Sequence, residues 1–134
     1  MTSNGYAQYQ QNSILTASPS KLLLMAYDGA IRFSRAAATK MKENNLDEQN
    51  MLINKATAIV IELVSTLKED VDPLLCSRLR SLYAYVVEKL TLANLEQNQA
   101  YLEEAIKILT QLRESWAEAE RKLQAENQPS EVAA

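Results

Sequence analysis

Between Lys21 and Lys42 the polar residues Lys21, Asp28, Arg32, Arg35, Thr39 and Lys42 fall on one line at spacings of three, four and seven. Around that line Leu22, Leu23, Leu24, Met25, Ala26, Tyr27, Ala30, Ile31, Phe33, Ala37 and Met41 fill the remaining arc of a helix. An apolar arc this wide belongs to a helix that packs on at least two neighbours. Ser18 supplies an N-cap oxygen and Pro19 a first-turn residue with its φ already set, so the helix starts there and runs to about Glu43. Gly29 inside it should cost about 0.5–1 kcal/mol against alanine, which predicts a close approach by a neighbour at that point.

Three further helices follow from the same reasoning. Asp47 caps a second helix over about Glu48 to Lys68, with Leu52, Ala56, Ile59 and Leu63 as its core stripe and Ile53, Val60, Val64 and Leu67 beside it. Ile61 stands out, because the rest of its line (Asn50, Asn54, Thr57, Ser65 and Lys68) is polar. Asp72 and Pro73 start a third helix that reaches about Glu96, with a seam of Leu75, Leu79, Leu82, Val86, Leu90 and Ala93. Tyr85 and Leu92 lie on its outer side with Arg78, Lys89 and Glu96. Asn98 caps a fourth helix, whose stripe of Leu102, Ala105, Leu109, Leu112, Trp116, Ala119 and Leu123 alternates threes and fours.

Long helices joined by short connections predict an all-α, antiparallel up-down four-helix bundle over residues 18–125. Residues 1–17 lack an apolar period and read as a flexible N-terminal arm, and residues 126–134 as a frayed C-terminal tail.

Composition narrows the function. With 47% hydrophobic and 23% charged residues the chain is ordinary globular material, and only two Gly and three Pro in 134 residues agree with few turns. A net charge of −3 gives no positive excess for a phosphate backbone, so no nucleic-acid partner is expected. No uninterrupted apolar stretch reaches membrane-spanning length and Met1 to Asn12 lacks signal-peptide character, so a soluble, cytoplasmic protein with no membrane partner is expected. The single cysteine, Cys76, has no intramolecular partner for a disulfide and reads as a small buried hydrophobe. The absence of histidine removes the usual general base and the commonest metal ligand. Glu103 with Glu104, and Glu118 with Glu120, read as solvated charge on an outer face. Neither an enzyme nor a cofactor or metal site is expected.

What remains is apolar surface. Tyr6, Tyr9, Ile61, Tyr85 and Leu92 fall on the arm or on outward lines, and although single exposed apolar residues are common, a group of them predicts a groove for amphipathic helices. Trp116 reads as core. Asp28, Arg32 and Arg35 are spaced to pair along one helix face.

The string YQQNSILTASPSKLLLMAYDGAIRF, Tyr9 to Phe33, closely resembles the opening signature of the FliS family of flagellar secretion chaperones. LRSLYAYVVEKLTLAN (Leu79 to Asn94) resembles that family's third helix, and ILTQLRESWAEA (Ile108 to Ala119) its fourth. The resemblance implies a cytosolic export chaperone that binds the disordered C-terminal segment of flagellin, prevents its premature polymerisation and keeps it competent for flagellar type III secretion. It also implies contact with the export gate when loaded, and leaves room for a co-chaperone. Carried over to this chain, Tyr6 and Tyr9 belong to the arm and Asn12, Ile14 and Leu15 to its junction with the bundle. Ile53, Val60, Ile61 and Val64 then line the client groove with Leu82, Tyr85, Val86 and Leu92. Ala26 and Ser34 depart from the larger apolar residues many relatives carry. The alternative reading is a non-catalytic helical adaptor that self-associates as a weak homodimer through the same outward residues.

Overall fold

The computed structural model describes residues 18–127. The expected all-α bundle is present: α1 (Pro19–Lys42), α2 (Leu46–Ser65), α3 (Pro73–Glu96) and α4 (Gln99–Asn127). Helix α1 packs on α2 and α4, and α3 closes the ring by packing on α2 and α4, so consecutive helices are antiparallel neighbours. The proposed arm lies outside the described residues. Helix α4 continues through Asn127, past the expected start of the tail, and residues 128–134 also lie outside them.

Capping chemistry accounts for the boundaries. Ser18 Oγ accepts from the Lys21 N–H at 3.3 Å and Asp72 Oδ1 from the Leu75 N–H at 3.1 Å, each ahead of a first-turn proline. Helix α2 begins earlier than expected, because its cap is Asn45 and not Asp47: Asn45 Oδ1 accepts from the Glu48 N–H at 3.3 Å. The preceding turn explains the shift. Asn44 adopts a left-handed φ of 59°, and the Asn45 N–H donates to the Lys40 carbonyl at 2.9 Å, so α1 closes in two residues and frees the Asn45 side chain. The other end of α2 stops at Ser65, short of Lys68. There the Ser65 and Thr66 hydroxyls donate back to the Glu62 and Leu63 carbonyls, and backbone bonds tighten to three-residue spacing. Gln97, at φ 54°, makes the left-handed turn that joins α3 to the Asn98-capped α4.

Two helices are rotated relative to the expected seams. Helix α2 buries Gln49, Ile53, Ala56, Val60 and Leu63, while Leu52 and Ile59 are only half-buried. Helix α3 buries Cys76, Leu79, Tyr83, Val86, Leu90 and Ala93, which turns Leu75 and Leu82 outward. Both helices carry two adjacent apolar lines, and the partners opposite select one. Tyr83 is drawn inward by a hydroxyl–hydroxyl bond to Tyr27 on α1, and Gln49 by its amide, which donates to Asn94 Oδ1 on α3 at 2.9 Å. Ser34, small and polar, is fully buried because its hydroxyl donates to the Ala30 carbonyl at 2.7 Å within α1.

Gly29 has the close neighbour its position predicts: a Cβ there would lie 3.2 Å from Ile59 Cδ1. Asp28, in contrast, does not pair along its own helix. It receives Arg113 Nε of α4 at 2.9 Å, tying α1 to α4 and holding the Arg113 guanidinium pKa above its ordinary value by that hydrogen bond and its charge.

Leu109 on α4 is fully buried within the core formed by all four helices. Leu109→Ala is expected to lower the unfolding free energy by about 2–5 kcal/mol, measured by urea denaturation followed by circular dichroism.

Candidate functional site

The apolar surface is distributed over two flanks and one end of the bundle. On the α3–α4 flank, Leu82 and Tyr85 are 38% and 40% exposed and Leu92 is half-buried. Tyr85 and Leu92 are seven residues apart, as are Leu82 and Lys89, so all four share one face of α3. Contacts show that this face looks toward α4. The Tyr85 hydroxyl donates to Glu104 Oε2 at 3.2 Å, and Lys89 Nζ lies 3.5 Å from the same carboxylate, over the rings of Tyr85 at 5.1 Å and Tyr101 at 4.7 Å. Desolvation pulls the Lys89 ammonium pKa down, but Glu104 and Tyr85 outweigh it and leave the group above its ordinary value, hence firmly charged. The flank is therefore an aromatic and aliphatic strip with a fixed cation at its centre.

Ile61 lies elsewhere. Asn50 of α2 accepts from Asn94 of α3, and Ile61 stands eleven residues further along that line, so at 56% exposure it belongs to the α2–α3 side with the half-buried Val64. Tyr85 and Ile61 thus sit on opposite sides of α3, and the single groove expected from α2 and α3 divides into two surfaces. Three residues assigned to that groove need correction: Ile53, Val60 and Val86 are at most 2% exposed, Ile53 and Val60 because the rotation of α2 points them into the core and Val86 because it stays on the core seam of α3. They support the surface without forming it. Tyr6, Tyr9, Asn12, Ile14 and Leu15 lie outside the described residues.

Sequence reasoning missed the bundle end where the α2–α3 connection meets the start of α1 and the last part of α4. A cavity of about 210 Å³ opens there between Leu23, Leu67, Val71, Leu75, Leu79 and Trp116. Beside it, Pro19, Leu23, Trp116, Ala119 and Leu123 line a second cleft of about 280 Å³. Leu123 is 51% exposed because the last turns of α4 run beyond the packed core. The signal was present in the paired Leu74 and Leu75 immediately after Pro73, since only one of two adjacent leucines in a first turn can face inward.

The floor of this end is polar. Tyr27 and Tyr83 share a hydroxyl–hydroxyl bond of 2.5 Å with their rings tilted at 45°, and the half-buried Trp116 donates Nε1–H to the Tyr27 oxygen at 3.1 Å. Burial pushes both phenol pKa values above the ordinary tyrosine range, and for Tyr27 the bond to Tyr83 adds to the effect. Among the described residues no group of three or more His, Cys, Asp and Glu converges to hold a metal, and no helix is long and apolar enough to cross a membrane.

A compact helical ring with apolar strips on its flanks and an apolar cleft at one end has the form of a protein-binding module. A family model described as flagellar protein FliS matches residues 2–123, and the chain belongs to that family. A flagellar secretion chaperone FliS from Bacillus subtilis is 34% identical over 116 residues, spanning 87% of this chain and 86% of the relative. One from Campylobacter jejuni is 34% identical over 113 residues, spanning 84% and 88%. The Escherichia coli chaperone of the same name is 28% identical over 85% of each chain. The same fold appears in a crystal structure of a bacterial flagellar chaperone, at a TM-score of 0.73 and 20% identity, covering 91% of this chain and 99% of that one.

The buried phenols make a pH prediction. Their folded pKa values are raised, so above pH about 10 the unfolded chain releases protons that the native state retains, and stability falls as pH rises through that range. Absorbance at 295 nm during alkaline titration should show these two phenols ionising only as helix content is lost, whereas Tyr27→Phe should lower stability at pH 7 and make it less sensitive to pH above about 10.

Proposed function

We propose that this chain is a non-catalytic cytosolic export chaperone that binds the disordered C-terminal segment of flagellin, blocks its premature polymerisation and keeps it competent for flagellar type III secretion. Membership of a family whose relatives are named flagellar secretion chaperones supports the export role. The observation that carries the client assignment is the apolar surface spread over flanks and end of the bundle. An unstructured guest that orders on binding loses chain entropy, and only extensive apolar contact offsets that loss. Separate strips suit a client that wraps around the bundle better than they suit one short helix. Leu82, Tyr85 and Leu92 form the proposed strip on one side and Ile61 with Val64 that on the other. Tyr6, Tyr9, Asn12, Ile14 and Leu15 are proposed to contribute from the arm. The loaded complex is proposed to engage the export gate.

Isothermal titration with a peptide of the flagellin C-terminus should give binding with a negative heat-capacity change and a gain in helicity. Leu82→Asp with Tyr85→Asp should weaken that binding by at least about tenfold while leaving helix content unchanged. Absence of binding to the unmodified chaperone at micromolar concentrations would overturn the reading.

A further inference from the structure

Helices α1 and α2 leave a groove of about 490 Å³ that neither the core nor the proposed client strips use. Leu22, Met25, Ala26 and Gly29 of α1 form its floor and near wall, Ile59 of α2 its far wall, and Phe33 its end. Gly29 keeps the floor low, since a side chain there would press on Ile59. Leu22, Met25, Gly29 and Phe33 follow one another at three, four and four residues and span about three helical turns. That is the length and spacing an amphipathic helix needs to seat its apolar face.

Charge selects among such helices. Arg32 and Lys55 rise from opposite walls over the Phe33 ring, at 5.4 and 5.5 Å from its centre. Both are exposed, and among the described residues neither forms an ion pair. The one carboxylate lining the groove, Asp28, is engaged by Arg113 of α4. A chain with a net charge of −3 thus places two unspent cations at the end of an apolar trough.

We infer that the α1–α2 groove docks an amphipathic helix of a second protein partner, with leucine-like residues on its inward face and carboxylates beside Arg32 and Lys55. The α1–α2 groove lies across the four-helix ring from the α3–α4 strip, so this partner leaves that strip open to the proposed client.

The probes are two fluorescein-labelled synthetic helices with the same leucine face, one flanked by glutamates and one by lysines, read by anisotropy with the full chain. The glutamate peptide should bind about tenfold tighter than the lysine peptide, and added salt should narrow the gap. Arg32→Glu with Lys55→Glu should abolish or reverse the preference, and the neutral pair Arg32→Gln with Lys55→Gln is read in the same way should the first variant lose helix content. Equal binding of the two peptides, no binding of either, or a preference unchanged in the variants would overturn the inference. The flagellin C-terminal peptide should bind these variants as it binds the parent. A loss there would assign the groove to the client and remove the second partner, whereas failure of that peptide on the parent chain bears only on the client assignment.

Discussion

Tyr27 on α1 and Tyr83 on α3 meet across the diagonal of the bundle, and the rotation of the helices about the core depends on that contact. Neither side chain is more than 1% exposed, and each phenol oxygen would be a costly unpaired group in an apolar interior. Bonded to one another, and with Trp116 of α4 donating to Tyr27, they turn the cost into a constraint: three of the four helices are fixed in rotation at one level of the bundle. A core built from aliphatic side chains alone would tolerate several rotations of α2 and α3, since both present adjacent apolar lines. The tyrosine pair admits one for α3.

At the other end of the helices, Gln49 of α2 and Asn94 of α3 repeat the device, with Asn94 donating onward to Asn50. The two polar ties sit at different levels of α3, and between them the core is apolar apart from the internally bonded Ser34 hydroxyl, with Ile53, Val60, Val86, Leu90 and Leu109 filling the space. The surface inherits this arrangement. Once Tyr83 and Val86 face inward, Leu82 and Tyr85 must face outward, because neighbouring residues on a helix diverge by about 100°. The outward strip is a consequence of the inward bond.

This coupling explains why a small bundle keeps a firm fold while leaving so much apolar surface uncovered. Polar ties specify the rotation and the aliphatic layer supplies the burial, so the strips on the flanks are not needed for either. They are available for guests. The cations are placed in keeping with this: Lys89 is held by Glu104 within the α3–α4 strip, whereas Arg32 and Lys55 flank the α1–α2 groove without carboxylate partners among the described residues. The same architecture therefore offers surfaces of different electrostatic character on opposite sides.

Much of the architecture is legible in the sequence. Ser18 with Pro19 and Asp72 with Pro73 set two helix starts, the sparse glycine and proline indicated long helices, and Cys76 was read correctly as buried. Those features act within a turn of chain, where capping bonds and backbone restriction are decided by the residues themselves. The motifs from Tyr9 to Phe33 and from Leu79 to Asn94 also carried the family. What sequence left undecided was which of two adjacent apolar lines on α2 and α3 would face inward, and with it the positions of Ile53 and Val60 in the core and of Leu75 on the surface. That choice depends on Tyr27 and Asn94, distant in sequence from the residues they bind, as Arg113 is from Asp28. The end cleft beneath Trp116 exists only where α1, α2, α3 and α4 come together. Local chemistry determines where a helix begins, but its rotation is set by partners across the bundle, and the exposed surface follows from that rotation.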